Sequence, residues 1–170
     1  QIPKNRKDYY LIVSRIVGTK NIDLAIETAN KYGFILKVAG RPINKPGEEI
    51  AARIKGETVE YLGEVSEKER ERLFLEAKGF LALETDADFG MTTVEPMAYG
   101  MPVITFRGGG YLETVVEGKN GVFFDEQTPE ALQKAIEKFE KIKWDRKYIV
   151  NYAKKFSKEN FVKQCLSYLK

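Results

Sequence analysis

Short apolar runs alternate with segments of helical period along most of the chain. Five of these runs are rich in aliphatic and aromatic side chains, as buried strands are: residues 9–13, 34–39, 59–62, 79–83 and 102–106. After the first run, apolar positions recur at the helical spacing of three and four residues until Gly33 ends the pattern. Continuous apolar strands that alternate with helices predict an α/β fold, with a doubly wound, Rossmann-like parallel sheet covered on both faces.

Further helices are marked by their first residues. Ser66 with Glu69 forms a capping box, and the helix that follows is expected to bury Leu73, Phe74 and Ala77. The remaining predicted elements are short helices near 47–54, 92–99 and 111–117, a small strand at 121–124, and a helix that begins with Thr128-Pro129.

The C-terminal part of the chain shows helical patterns and no strand. We expect a single domain over residues 1–170, with its core at about 9–142 and a helical segment at about 143–170. Ser157 is predicted to cap the last helix, whose apolar positions are Phe161, Val162, Cys165, Leu166 and Leu169. This apolar face must pack on the sheet, on the preceding helix or on a partner outside the chain.

The composition restricts the chemistry that the domain can perform. The chain of 170 residues has no histidine and one cysteine, Cys165. These counts exclude a Ser-His-Asp triad, a Cys-His pair, histidine metal ligands and an intramolecular disulfide, and no metal site is predicted. A net charge of +3 is too small to indicate nucleic-acid binding, and no apolar run approaches the roughly 18 residues of a membrane span.

The loops at the carboxyl ends of the strands hold the candidate site, because ligands of doubly wound domains bind there. The loop after the first strand carries Arg15 and Lys20. Two cations next to a helix N-terminus suit a phosphate or a diphosphate. The alternative is that both side chains are solvated loop charges, which are common on protein surfaces.

A second candidate loop lies between the fourth strand and the helix after it. Phe89 and Gly90 form a predicted turn, and the N–H groups from Met91 onward are expected to bind an anion. Glu95 is placed to accept hydrogen bonds from a ribose. The alternative is that Asp86 and Asp88 complement the helix dipole and that Glu95 is an ordinary carboxylate in the first turn of the helix.

A glycine triplet at residues 108–110 follows the fifth strand. It allows a close approach of the backbone to a ligand, or it forms a mobile connection. The dinucleotide fingerprint G-x-G-x-x-G and the phosphate-binding P-loop motif occur nowhere in the chain, which weighs against a dehydrogenase and an NTPase.

Four segments occur in a recognisable order: Ser14-Arg15-Ile16 with Lys20, residues 59–66, residues 88–104 and residues 109–115. Together they resemble the C-terminal, nucleotide-sugar-binding domain of the family 4 retaining glycosyltransferases, which have the two-domain GT-B architecture. The resemblance covers about residues 9–140, and the motif at 88–104 is its most specific part. Within the family, the chain is most similar to mannosyltransferases of lipopolysaccharide or O-antigen assembly.

The resemblance implies roles for individual residues. Arg15 and Lys20 match the catalytic residues that bind the donor diphosphate and neutralise charge on the leaving group. The main chain of Gly63, Glu64 and Val65 matches the site of the nucleotide base. The remaining donor contacts are expected from Asp88, Phe89, Gly90, Met91, Thr92, Thr93 and, for the ribose hydroxyls, Glu95.

The implied reaction transfers a hexose, with mannose favoured, from a GDP- or UDP-linked donor to a hydroxyl of a glycan or glycolipid acceptor, with retention. No cofactor is required, and no nucleic acid is a partner. The acceptor is expected to bind to an N-terminal domain that this chain lacks, so the chain is not expected to be active alone. The full-length protein is expected to be cytoplasmic or peripheral at the inner face of the membrane.

One position departs from the family pattern. The family's first glutamate, whose carboxylate contacts the donor sugar, corresponds to Ala87, eight residues before Glu95. The sugar is therefore expected to add little to the affinity of the nucleotide, unless Glu84, Asp86 or Asp88 takes over the contact.

Two alternative functions stay open at this point. The first is a non-catalytic module that binds a sugar nucleotide, which the alanine at position 87 favours. The second is a flavodoxin- or receiver-like domain, which the chain length allows. A receiver needs an acidic cluster after the first strand, and Ser14-Arg15 stands there instead.

Overall fold

Six parallel β-strands form the centre of the fold, and helices cover both of its faces. The computed structural model describes residue 3 and residues 5–167. The strands are β1 (Lys7–Val13), β2 (Leu36–Ala39), β3 (Val59–Gly63), β4 (Ala77–Ala82), β5 (Val103–Phe106) and β6 (Gly121–Phe124). The helices are α1 (Ile22–Tyr32), α2 (Lys45–Arg53), α3 (Glu67–Glu76), α4 (Met91–Ala98), α5 (Tyr111–Thr114), α6 (Pro129–Glu140), α7 (Arg146–Ala153) and α8 (Lys158–Ser167). Short 3₁₀-helices at Gly18–Lys20 and Lys154–Phe156 precede α1 and α8.

The strand order is β3-β2-β1-β4-β5-β6, and every neighbouring pair is parallel. This is the order of doubly wound dinucleotide-binding domains, whereas flavodoxin- and receiver-like domains have the order 2-1-3-4-5. The predicted fold class is therefore confirmed, and the flavodoxin- or receiver-like alternative is excluded. Because the chain runs outward from β1 to β3 and then returns to β4, a crevice opens between the carboxyl ends of β1 and β4.

Successive side chains of a strand point to opposite faces of the sheet, and here they enter two separate apolar clusters. In β1, Tyr10 and Ile12 join the cluster formed with α1, α2 and α6. Tyr9 and Leu11 join the cluster formed with α3, α4 and α7. The ring of Tyr10 meets that of Phe139 on α6 edge-on, with 5.6 Å between the centroids. Packing on both faces fixes the strands and therefore the loops at their carboxyl ends.

Local capping residues decide where several helices begin and end. α1 ends at Gly33, which has a φ of 79°. α3 begins after Ser66, whose Oγ accepts the N–H of Glu69 at 3.2 Å, and α6 begins after Thr128, whose Oγ1 accepts the N–H of Ala131 at 3.2 Å. All three boundaries agree with the sequence-based prediction.

Two features differ from the prediction or add to it. Ala77 is the first residue of β4 and has extended backbone angles, so it does not belong to the buried face of α3. The C-terminal segment contains α7, whose Ile149 is fully buried. Arg146 at the start of α7 donates from Nη1 to the carbonyl of Gly100 at 3.0 Å, which ties α7 to the end of α4. α7 therefore packs in the same core as the sheet.

The last described helix, α8, begins where the sequence predicts it. The Oγ of Ser157 accepts the N–H of Asn160 at 3.3 Å. Its predicted apolar side chains are 65%, 45% and 56% exposed at Phe161, Val162 and Leu166, and Cys165 is also exposed. Leu169, which the prediction adds to this face, lies outside the described residues. None of the described helices combines the length and the apolarity needed to cross a membrane.

Candidate functional site

Two clefts lie at the carboxyl ends of the central strands, and Arg15 lines both of them. The first, of about 320 Å³ and called here the Glu64 cleft, is lined by Val13, Ser14, Arg15, Gly40, Arg41, Glu64, Val65 and Arg70. The second, of about 290 Å³ and called here the Lys20 cleft, is lined by Arg15, Lys20, Glu84, Ala87, Asp88, Phe89, Gly90, Met91 and Thr92. The Lys20 cleft joins the loops after β1 and β4 and thus lies at the crevice that the strand order creates.

Lys20 is held in place by contacts across this crevice. The next residue, Asn21, has a φ of 50° and donates from Nδ2 to the carbonyl of Leu83 at 3.0 Å, which ties the loop after β1 to the end of β4. The Nζ of Lys20 lies 2.5 Å from Oε2 of Glu84, and both side chains are 19% exposed. The predicted diphosphate-binding cation therefore already has an anionic partner.

The first residues of α4 line the Lys20 cleft beside that ion pair. Gly90 precedes the helix with a φ of 81°, and a Cβ at this position would lie 2.8 Å from Cδ1 of Tyr111. The backbone angle and the neighbouring ring both require glycine there. N–H groups in the first turn of a helix lack intrahelical partners and stabilise anions. Met91 and Thr92 bring this first turn to the cleft.

Thr93 lies in the first turn of α4 but is not among the described residues that line either cleft. Its side chain is fully buried, and its Oγ1 donates to the carbonyl of Gly90 at 2.7 Å. Its N–H donates to the same carbonyl at 2.9 Å. The turn at the start of α4 therefore uses both the hydroxyl and the N–H of Thr93.

Ala87 lines the Lys20 cleft with a nearly buried methyl group that offers no hydrogen bond. The carbonyl of Ala87 accepts the N–H of Gly110 at 2.6 Å. A Cβ at Gly110 would lie 2.4 Å from Cα of Phe89. The glycine triplet thus makes its close approach to the protein's own loop and holds residues 87–89 in position.

Tyr111 supports the wall of the cleft at Glu84. Its side chain is 1% exposed, and its hydroxyl donates to Oε2 of Glu84 over 3.5 Å. Burial raises the pKa of Tyr111 to about 12; a hydrogen bond from Thr92 opposes the rise, and the negative charge of Glu84 adds to it. The phenol therefore stays protonated near neutral pH and remains a donor to the carboxylate.

The residues predicted for the base and the ribose lie apart from one another. Glu64 and Val65 line the Glu64 cleft. Gly63 ends β3 just before them with a φ of 67°, and its carbonyl accepts the N–H of Gly40 at 2.7 Å. Glu95 is exposed on α4 and does not belong to the described residues that line either cleft.

Sequence reasoning missed two arginines of the Glu64 cleft. Arg41 and Arg70 line this cleft together with Arg15, so three arginines and one carboxylate, that of Glu64, share its lining. The position of Arg41, two residues after the end of β2, could have indicated it, because ligands of doubly wound domains bind at the carboxyl ends of the strands. Arg70 lies within α3, where nothing in the local sequence distinguishes it from other solvated charges.

The sequence matches a protein-family model described as "Glycosyl transferases group 1" over residues 1–156. The chain belongs to this family.

The chain is similar to curated proteins with different descriptions. An uncharacterized glycosyltransferase of Methanocaldococcus jannaschii is 30% identical over 170 residues, which are 98% of this chain and 48% of the relative. A probable sucrose-phosphate synthase of Thermosipho melanesiensis is 35% identical over 150 residues, 78% of this chain and 34% of the relative. An alpha-1,3/1,6-mannosyltransferase of Dictyostelium discoideum is 31% identical over 141 residues, 68% of this chain and 33% of the relative. The chain spans about half the length, or less, of these curated relatives.

Solved structures of glycosyltransferases share the fold. A lipopolysaccharide outer core galactosyltransferase in its apo form superposes with a TM-score of 0.79 at 18% identity, over 97% of this chain and 51% of the other. A pneumococcal O-GlcNAc transferase in complex with UDP and GlcNAc gives 0.77 at 20% identity, over 98% of this chain and 36% of the other. These similarities show that the group 1 glycosyltransferase chain has the GT-B type of Rossmann-like fold.

Proposed function

We propose that this chain binds the nucleoside-diphosphate sugar of a retaining glycosyltransferase, which transfers a hexose to an acceptor hydroxyl. One observation carries the proposal: Arg15 lines both the Glu64 cleft and the Lys20 cleft. A nucleoside diphosphate has a planar base at one end and two phosphates at the other. The Glu64 cleft accepts the base beside the main chain of Gly63, Glu64 and Val65. The diphosphate then lies at Arg15 and continues into the Lys20 cleft.

The chemistry of this site is electrostatic. When the bond to the sugar breaks, negative charge builds on the leaving diphosphate. Arg15, Lys20 and the first N–H groups of α4 stand around the place where this charge develops. Removing one such preorganised donor from an enzyme typically raises the barrier by about 3–4 kcal/mol. These groups neutralise the charge themselves, so the proposed reaction needs no metal ion and no cofactor.

The sugar end of the donor lies in the Lys20 cleft. The main chain of Asp88, Phe89, Gly90, Met91 and Thr92 follows the sugar and the phosphates along its wall. For the ribose we propose Glu95, an exposed residue of α4 whose side chain must turn towards the bound nucleotide.

The donor is a GDP- or UDP-linked hexose, and mannose is the first candidate. The similarity to the mannosyltransferase of Dictyostelium discoideum supports mannose. The UDP in the pneumococcal relative supports a uridine donor as the other candidate.

The acceptor is a glycan or glycolipid, as in the lipopolysaccharide galactosyltransferase of similar fold. A second domain binds it, since the chain spans about half of its relatives. The whole protein acts in the cytoplasm or at the inner membrane face.

A non-catalytic sugar-nucleotide-binding module is the second candidate. Two observations favour it: the methyl group of Ala87 lines the cleft where a carboxylate is expected, and Lys20 is paired with Glu84. Both candidates require nucleotide binding, and only the first requires turnover once the second domain is present.

Isothermal titration calorimetry with GDP, UDP and FMN tests the proposal. The chain is expected to bind GDP or UDP weakly and to show no heat of binding with FMN, because the site is built around a diphosphate. A parallel assay with GDP-mannose and UDP-glucose is expected to show no transfer by this chain alone. Binding of FMN, or of neither diphosphate, would refute the proposed function. Transfer by the chain alone would refute the role of a second domain.

A further inference from the structure

Glu84 is a carboxylate of the Lys20 cleft that nucleotide binding leaves without a role. It follows β4 after Leu83, whose carbonyl accepts hydrogen bonds from Asn21 Nδ2 and Gln127 Nε2, each at 3.0 Å. These two bonds anchor the backbone from both sides of the crevice. Glu84 therefore enters the cleft from a fixed position, whereas Asp88, the other carboxylate among the cleft's described lining residues, is exposed on the loop.

The two contacts of the Glu84 side chain use the same oxygen. Lys20 Nζ lies 2.5 Å from Oε2, and the hydroxyl of Tyr111 donates to Oε2 over 3.5 Å. Within the described residues, neither of these contacts uses Oε1. An ionised carboxylate has about four acceptor positions and no donor. The second oxygen is therefore free to accept a hydrogen bond from a ligand in the cleft.

The charge of Glu84 decides which part of a donor it can contact. A carboxylate repels a phosphate and attracts hydrogen-bond donors such as hydroxyl groups. The phosphates find their partners at Arg15, Lys20 and the first turn of α4. The hydroxyl-bearing part of the donor inside this cleft is the sugar. The methyl group of Ala87 on the same wall accepts nothing, which leaves Glu84 and the exposed Asp88 as the carboxylates among the cleft's described lining residues.

We propose that Oε1 of Glu84 accepts a hydrogen bond from a hydroxyl of the donor sugar and thereby contributes to the choice of sugar. The inference rests on the proposed function and adds the residue that recognises the sugar. Lys20 and Tyr111 hold the carboxylate before the donor arrives, which lowers the entropy lost on binding. The proposal differs from the expectation drawn from Ala87 alone, that the sugar adds little affinity.

The experiment measures a sugar increment, defined as the Kd of GDP divided by that of GDP-mannose, and likewise for UDP and UDP-glucose. Glu84→Gln keeps the size of the side chain and removes its charge. We expect it to lower the increment about tenfold, the effect of losing one charge-assisted hydrogen bond, while the Kd of the free diphosphate stays the same or falls. Glu84→Asp, which keeps the charge but shortens the side chain, is expected to lower the increment by less.

Asp86→Asn is the matched control, because Asp86 is an exposed carboxylate two residues away that does not line the described clefts. It is expected to keep the parent increment, and thermal melts establish that each variant is folded. If Glu84→Gln lost the same factor of affinity for GDP as for GDP-mannose, Glu84 would be a residue that positions Lys20, and the inference would be overturned. So would an increment that is lost in Asp88→Asn and kept in Glu84→Gln. A parent that binds no diphosphate refutes the proposed function as well.

Discussion

Lys20 and Glu84, which are 64 positions apart in the sequence, form a 2.5 Å ion pair between the loops after β1 and β4. The pair spans the crevice at which the strand order reverses. It fixes a cation beside the first turn of α4 before any ligand is present. It also means that a bound diphosphate must share Lys20 with a carboxylate, whereas Arg15, which is exposed and lines both clefts, forms no ion pair among the described residues.

Arg15→Ala is expected to weaken GDP or UDP binding roughly 10- to 150-fold, because a charge-assisted hydrogen bond contributes about 1.5–3 kcal/mol. Binding of the nucleoside without phosphates is expected to change little. Calorimetry with the nucleoside and its diphosphate measures both effects.

Lys20→Ala is expected to have a smaller effect on diphosphate binding than Arg15→Ala, since the ammonium group is already paired with Glu84. Arg53→Ala, which removes an exposed charge from the last turn of α2, is the control for both variants. If Arg15→Ala and Arg53→Ala bind the diphosphate equally well, Arg15 is a solvated loop charge.

Gly110→Ala is expected to destabilise the fold by about 1–3 kcal/mol, because the new methyl carbon would lie 2.4 Å from main-chain atoms of Phe89. The wall of the Lys20 cleft must then move, so donor binding is expected to weaken as well. Gly18→Ala adds its methyl group where no atom lies within 4 Å and is expected to change the free energy of unfolding by less than about 0.5 kcal/mol. Urea denaturation of the two variants compares them, and equal stabilities would contradict the packing described for the glycine triplet.

The order of the elements could be predicted because each strand is a continuous apolar run and each helix carries a cap. Gly33 and Ser66 are examples in which one residue type determines a boundary. Ala77 was assigned to the wrong element, since a small apolar residue fits the end of a helix and the start of a buried strand equally well.

The site could be predicted only in part. Arg15 and Lys20 were found because they lie close together in the sequence and follow the first strand. The partnership of Lys20 with Glu84 and the contribution of Arg70 depend on which strands become neighbours, and no local pattern encodes that. The sequence does not show that the N–H of Thr93 is used within the turn at Gly90, because that hydrogen bond depends on backbone geometry.

Tyr111→Phe is expected to reduce the loss of stability between about pH 10 and pH 12. In the parent, the pKa of Tyr111 is raised to about 12, above the ordinary value of a tyrosine near 10. The unfolded state therefore loses this proton first, and the stabilisation present below pH 10 disappears as the pH rises towards 12. Each pKa unit corresponds to about 1.4 kcal/mol.

Denaturant titrations from pH 9 to 12 give the free energy of unfolding of each protein, and the slope of that free energy against pH is compared. Tyr148→Phe is the control, because Tyr148 is an exposed tyrosine on α7, and it is expected to keep the parent slope. An identical slope in Tyr111→Phe would contradict the assigned pKa.

The amides of α8 are expected to exchange with solvent orders of magnitude faster than those of β1. The side chains of Phe161, Val162 and Leu166 are largely exposed, so little apolar burial opposes local opening of this helix. Leu11 and Ile12 of β1 lie in the two core clusters and should exchange only on global unfolding. Native-state hydrogen exchange measures both, and equal protection of α8 and β1 would contradict this expectation.

The crystal structure of the chain in complex with GDP or UDP tests the central claim most directly, because it shows where each part of the nucleotide lies. The base is predicted in the Glu64 cleft, and the diphosphate within hydrogen-bonding distance of Arg15, extending towards the Lys20 cleft. A nucleotide bound elsewhere, or one whose diphosphate leaves Arg15 in solvent, would contradict the account.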